Sequence, residues 1–177
     1  MEAFLLIVIL VVLSLALIFV TTQMYNVVFR GFAPFISTKF SAILAILKEL
    51  NLSGKETVYE LGAGKAGFLR AVEQKFKNEK LVGVEYSWWP YVLAKMQIVI
   101  TGSKIQMIRK NIFKISLKEA DVIYCFLIPE TMKRLKEKFK KECRPGTLVV
   151  SYRFSIAGLD PERVIKEGRD NIYFYRI

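Results

Sequence analysis

The chain has 177 residues, room for one ordinary domain with attachments, and 53% of them are hydrophobic against 24% charged. It contains no histidine and only two cysteines, Cys125 and Cys143, without C-x-x-C spacing. That excludes histidine acid–base catalysis, argues against a protein-bound metal, and makes both cysteines read as small buried apolar residues. A net charge of +11 permits a solvated lysine-rich surface, an anionic membrane or nucleic acid as partner.

Residues 3–20, AFLLIVILVVLSLALIFV, are uncharged. At about 1.5 Å per residue they span about 27 Å as a helix, close to the hydrocarbon thickness of a bilayer. A cleavable signal peptide needs a basic start, a shorter apolar run and small residues at the cleavage site. Here the start is Met1-Glu2 and the run is followed by TTQMYNVVFRGF, so the segment reads as an uncleaved single-pass anchor in contact with membrane lipid. All 27 Lys and Arg lie beyond residue 23, against 15 of the 16 acids, which leaves a net +12 after the span. The positive-inside bias then predicts an outward N-terminus and a domain on the cytoplasmic side, facing anionic headgroups. A tethered domain makes nucleic acid a less fitting partner. The expected organisation is an anchor at 1–22, an interfacial segment and leading helix at 23–53, and the main domain at 54–177.

Tyr25, Phe29 and Phe32, with Arg30 beside them, fall on one helical face and suit the membrane interface. Gly31 and Pro34 break that helix. Ser37 or Thr38 can cap the next, whose apolar positions are Phe40, Ile43, Leu44, Leu47 and Leu50 and whose end is Gly54. Strands at 57–61, 81–85, 105–109, 121–127 and 147–152 then alternate with helices at 67–77, 91–100 and 129–142. Pro129 fits the first position of the last helix, which carries Met132, Leu135 and Phe139 on one face and seven basic residues from Lys133 to Arg144 largely on the solvated other. Strands alternating with helices imply a Rossmann-like α/β fold, a mostly parallel sheet with helices on both faces. Residues 162–166 and 172–177 are joined by too few residues for a crossover and predict a closing antiparallel hairpin.

The first strand runs into YELGAGKAGF. Gly62, Gly64 and Gly67 fit a dinucleotide turn, whereas Glu60 gives the E-x-G-x-G form of S-adenosylmethionine (SAM) sites. The glycines serve either ligand, since both need close backbone approach at the strand ends. A carboxylate at Glu60 repels a pyrophosphate and attracts the cationic methionine end of SAM, and the hairpin departs from the usual nicotinamide-binding plan. Glu85, 21 residues past Gly64, stands where an acid accepts from ribose hydroxyls. Tyr86 can pack on an adenine and Asn111 can bond its amino edge. Each also has an ordinary reading, as an exposed strand-end acid, a core aromatic and a turn asparagine; their joint placement favours a site.

The blocks GFAPFIST, YELGAGKAGFLRAV, LVGVEYSWWP, IRKNIFKISLKEADVIYCFLIPE and RPGTLVVSYRF resemble, in order, those of the membrane-anchored class I (seven-strand) lysine methyltransferases. That family includes the mitochondrial enzymes acting on the ATP synthase c-subunit and the adenine nucleotide translocase. The resemblance covers residues 31–161 and implies a SAM-dependent enzyme. By position, Glu60, Gly62, Ala63 and Gly64 would line the methionine end, Glu85 and Tyr86 the ribose and adenine, and Asn111 with Ile112 the adenine edge. Thr38 would lie near the methionine or cap the next helix. The chain departs from the family's pattern at Lys65 and Ala66, in place of Asp and Gly, at Asn111, where Asp is common, and at Ser37, in place of a proline.

Transfer of a sulfonium methyl to lysine needs a neutral amine held on the methyl axis, although its free pKa is about 10.4. An apolar aromatic channel lowers that value. Phe126, Tyr152, Phe154 and Trp89 are candidates for its walls, and Glu130 and Tyr152 for orienting the amine; Glu130 equally fits a first-turn helix acid. L-I-P-E at 127–130 differs from the motif of nucleic-acid amino-methyltransferases. The leading expectation is methylation of a lysine on a membrane or membrane-proximal protein. The rivals are methylation of a lipid or quinone-like molecule, for which a wide apolar mouth would speak, and a non-catalytic membrane module that keeps the fold and binds an acidic partner through its basic face, which an absence of SAM binding would favour.

Overall fold

The computed structural model describes the chain except residues 31–36 and 78 and the side chains of residues 23 and 26–30. In chain order the elements are α1 (Glu2–Arg30), α2 (Phe40–Glu49), β1 (Thr57–Leu61), α3 (Gly67–Lys75), β2 (Lys80–Glu85), α4 (Trp88–Thr101), β3 (Gln106–Arg109), β4 (Val122–Cys125), α5 (Pro129–Glu142), β5 (Leu148–Tyr152), β6 (Arg163–Glu167) and β7 (Asp170–Arg176). They divide into two compact units, Met1–Ile36 and Ser37–Ile177.

The first unit is α1. Its stretch Glu2–Thr22 has mean hydropathy 3.4, long and apolar enough to cross a bilayer. The hydroxyls of Ser14, Thr21 and Thr22 donate back to carbonyls four residues earlier, Leu10, Leu17 and Ile18, so the few polar groups are satisfied within the helix. Of the expected interfacial group Tyr25 is exposed. The side chains of Phe29 and Arg30, and Gly31, Phe32 and Pro34 altogether, lie outside the described residues.

The second unit is a seven-stranded sheet of order β3-β2-β1-β4-β5-β7-β6. β1 to β5 pair in parallel, while β7 runs antiparallel to both β5 and β6. Parallel pairing follows from helical crossovers after β1, β2 and β4, and burial on both faces explains why β1 and β4 are buried at every residue. Gly168, at φ +61°, turns Glu167 directly onto Asp170 and makes the closing hairpin. Alternation sends Val58, Tyr124 and Val150 to the face covered by α2, α3 and α4, and Tyr59, Ile123 and Val149 to the face covered by α5.

Three local expectations are corrected. Lys39, not Ser37 or Thr38, is the N-cap of α2, and no side chain caps it. That helix ends at Glu49, well short of Gly54, and its buried stripe is Ala42, Ile43, Ile46 and Leu47, which leaves Phe40 and Leu44, four residues apart, exposed. Pro90 does not delay α4, which already begins at Trp88; in a first turn the missing N–H has no intrahelical partner to lose.

Candidate active site

The turn after β1 is built on positive φ angles at Gly62 (+73°), Gly64 (+54°) and Ala66 (+55°). The positive φ is what favours glycine at position 62, and a Cβ there would also stand 2.8 Å from Leu127 Cδ2, whose side chain would have to shift. Ala66 occupies a left-handed conformation that costs an alanine about 1–2 kcal/mol. Its fully buried methyl offsets roughly 0.8 kcal/mol of that, which explains how the third glycine is replaced without loss of the turn. The N–H groups of Gly62 and Ala63 both donate to Val84 O (2.9 and 3.0 Å), tying the turn to the end of β2.

Two buried carboxylates flank this turn. Glu85 accepts from Gly64 N–H (2.9 Å) through Oε2 and from Ser87 N–H (2.7 Å) through Oε1. An ionised carboxylate has about four acceptor positions, so two remain for hydroxyl groups. Glu60 accepts from Leu69 N–H (3.2 Å) in the first turn of α3. Burial pushes its carboxyl up from 4.5 to about 8; the Leu69 and Phe68 N–H groups oppose the shift, the Glu85 charge adds to it and Arg70 reduces it. A buried acid held near neutrality is suited to a cationic ligand, whose charge would return it to the ionised form. Arg70, not singled out from the sequence, buries its Nε without a hydrogen-bond partner beside this acid.

Glu60, Gly62, Ala63, Gly64, Glu85, Tyr86 and Asn111 thus gather at the carboxyl ends of β1, β2 and β3. Tyr86 is half-buried. Asn111 uses Oδ1 to accept Phe113 N–H (2.9 Å), capping a short helical turn at Ile112–Lys114, and keeps a second lone pair and its NH2 group. Ile112 is buried in the core under α5.

Thr38 Oγ1 lies 2.6 Å from the hydroxyl of Tyr124, which the β1–β4 register sets directly opposite Glu60. Tyr124 stacks on Phe68 at 4.3 Å. The pairing of β1 with β4 is the signal that would have found Tyr124. Tyr124→Phe should lower stability by about 1 kcal/mol, and Thr38→Val in that background should add little, because both remove the same bond; a double-mutant cycle by denaturant unfolding reads this.

On β5, Tyr152 is buried and donates its hydroxyl to Asp170 Oδ2 (2.8 Å). Burial and that carboxylate push the phenol up to about 12, so it holds its proton. Asp170 also meets Lys39 Nζ (2.9 Å) and Arg153 Nε (3.1 Å), and the Lys39 bond leads in holding its carboxyl below the usual range. Phe126 packs edge-on to Tyr152 at 4.9 Å and 6.4 Å from Phe154. Three of the four expected channel residues therefore meet. Trp89 stands apart from them, on α4 over β2 and β3, edge-on to Trp88. Glu130 is exposed in the first turn of α5.

Burial raises both thiols, Cys125 strongly and Cys143 to about 11, which leaves them protonated and unreactive. Among the described residues no group of three or more Cys, Asp or Glu stands close enough to hold a metal. A cavity of about 500 Å³, lined in part by Asp121, Arg144 and Thr147, lies at the opposite, amino ends of β4 and β5.

A five-strand parallel core closed by an antiparallel pair, with acids at the ends of its first two strands around a glycine turn, is the fold of a class I methyltransferase. Residues 60–163 match the ANTKMT methyltransferase domain, and the chain belongs to that family of methyltransferases. It is 32% identical over 150 residues to a protein-lysine N-methyltransferase of Saccharolobus islandicus (strain REY15A), covering 81% of this chain and 93% of that protein. It is 28% identical over 120 residues to the adenine nucleotide translocase lysine N-methyltransferase of Mus musculus, covering 67% of this chain and 52% of that protein, about half its length. Among solved structures, an RNA methyltransferase from Salinibacter ruber in complex with S-adenosyl-L-homocysteine superposes with a TM-score of 0.74 at 22% identity, covering 80% of this chain and 94% of that one.

Proposed function

We propose that the chain is a membrane-tethered, SAM-dependent protein-lysine methyltransferase acting on a membrane or membrane-proximal protein. The observation that carries the cofactor reading is the pair of buried acids, Glu60 and Glu85, on either side of the glycine turn. SAM supplies a methyl group on a sulfonium, open to in-line displacement by a neutral amine. Glu60 would meet the ligand's ammonium, with Thr38 and Tyr124 closing that end. The backbone of Gly62, Ala63 and Gly64 allows close approach. Glu85 would accept from the ribose hydroxyls, Tyr86 would pack on the adenine, and Asn111 and Ile112 would hold its edge.

The lysine reading is supported by the two named relatives and by the aromatic cluster of Phe126, Tyr152 and Phe154. Such walls exclude water and favour the uncharged amine. Tyr152 donates a hydrogen bond to Asp170 while keeping its proton, and its lone pairs remain to accept an amine N–H. Glu130 is a second candidate for orienting the amine.

Residues 1–22 form the anchor in contact with lipid, 23–53 lead into the folded part, and 54–177 carry the cofactor site on the cytoplasmic side. The exposure of every large apolar side chain of α1 from Phe4 to Val20 supports the anchor. A tether raises the effective concentration of substrates at the bilayer. Incubating membranes of the native source with labelled SAM and the full chain should place label on lysine side chains of membrane proteins, read by mass spectrometry. Label recovered only in the lipid extract would replace the protein substrate by a lipid. Protease protection of the domain in sealed vesicles tests its side.

A further inference from the structure

α4 carries a feature that methyl transfer does not require. Its inner side, Ala94 and Ile98, packs on the sheet, yet its outer side is apolar as well. Trp89, Leu93, Met96 and Ile100, at i, i+4, i+7 and i+11, form one exposed stripe flanked by Trp88 and Val99. Val99 and Ile100 are 76% and 78% exposed. Among the described residues of 37–177, six of the nine exposed large apolar side chains lie on this one helix, so the stripe is not the ordinary scatter of surface apolar groups. Lys95 is its only charged residue, whereas α5 turns a row of lysines outward.

We propose that the outer face of α4 docks on the bilayer surface, as a second membrane contact besides the anchor. This rests on the tethered reading proposed above. Lipid is favoured as the occupant because the same chain carries a membrane-length apolar helix and a net +12 after it, which draws the domain to anionic headgroups. The stripe also has the make-up of an interfacial helix, with two tryptophans at one end and aliphatic groups along it. α2 covers the same side of the sheet and exposes Phe40 and Leu44. Ser87, the N-cap of α4, is bonded to Glu85, so the docked face starts beside the carboxyl-end site. Docking would hold the mouth of the site at the headgroup level and select lysines lying at the membrane surface.

Trp88 and Trp89 are the only tryptophans in the chain, so its indole fluorescence reports on α4 alone. The full chain is placed one per nanodisc in bilayers containing phosphatidylglycerol, with or without acyl chains brominated near the headgroup. Loss of emission in the brominated discs, with little quenching by aqueous iodide, is expected. The double variant V99E/I100E should restore iodide access and leave affinity for S-adenosylhomocysteine unchanged. Indoles open to iodide in wild-type discs would overturn the docking. Indoles shielded from iodide yet untouched by bromolipid would overturn it too, since protein of the same chain, such as α1, would then cover the face. A chain extracted from membranes by alkaline carbonate would defeat the tether and the docking together, whereas an embedded chain with unquenched indoles defeats the docking alone.

Discussion

Glu85→Ala is expected to weaken S-adenosylhomocysteine binding tenfold or more and to lower the melting temperature in the same variant. The carboxylate has two sets of work. It accepts from Gly64 N–H and Ser87 N–H, which pins the glycine turn to the start of α4, and two acceptor positions remain, which the proposed function gives to ribose hydroxyls. Bonds to a charged group are worth about 1.5–3 kcal/mol each, and tenfold in affinity needs about 1.4. Loss of even one ribose bond therefore suffices. Removing the side chain also strands two backbone donors, at roughly 1–3 kcal/mol each unless water reaches them. Glu85→Gln keeps an acceptor for one donor but turns its NH2 toward the other, so part of the stability should return while affinity stays low. Calorimetric titration and thermal unfolding of the three proteins separate the roles. A lowered melting temperature with unchanged affinity would leave Glu85 as a turn residue only.

The second large effect is in pH. Burial raises the Glu60 carboxyl from 4.5 to about 8 in the free protein, so the folded state favours the protonated acid. Its contribution to stability is then full below about 4.5 and is lost as pH rises toward 8, the reverse of a salt-bridged carboxylate. A cationic ligand selects the ionised form. Affinity for SAM should accordingly rise with pH through neutrality, and binding below pH 8 should release a proton, seen as a dependence of the binding heat on the ionisation enthalpy of the buffer. The ligand's own α-amino group loses its charge near pH 8, which places the maximum there. Glu60→Gln should bind about tenfold or more weakly and release no proton from this site, by loss of a charge-assisted bond of about 1.5–3 kcal/mol. Equal proton release from wild type and Glu60→Gln would show that the acid stands elsewhere.

Much of this is legible in the sequence. Strand existence followed from apolar runs punctuated by glycine, and the closing hairpin from the short EGRDN link, because local spacing alone decides both. Glu60 and Glu85 were legible as strand-end acids beside a glycine turn. Other features depend on which strands become neighbours, and periodicity along one strand does not carry that. Tyr124 reads as one more core aromatic until β4 pairs with β1 and sets it opposite Glu60. Asp170 reads as a hairpin turn residue until β7 joins β5 and brings it to Tyr152. Thr38 looked like a helix cap because hydroxyl residues before an apolar run usually are; a long-range bond to Tyr124 competed with the local one and prevailed. The exposed side of α4 was hidden for a related reason, since a helix apolar on both sides gives no sign of which side the sheet takes.

The place of α2 bears on how the enzyme can be dissected. Ile43, Ile46, Leu47 and Leu50 are buried against the sheet and α3, and each such burial is worth about 1.5–3 kcal/mol, on the order of 6–12 together. Domains of this size have a net stability of about 5–15 kcal/mol. A fragment cut before Gly54, tidy as it looks around the glycine turn and its strands, would therefore give up most of its margin along with Thr38 and Lys39. A piece that starts at Ser37 keeps the whole compact unit, and residues 37–53 belong to the enzyme's body.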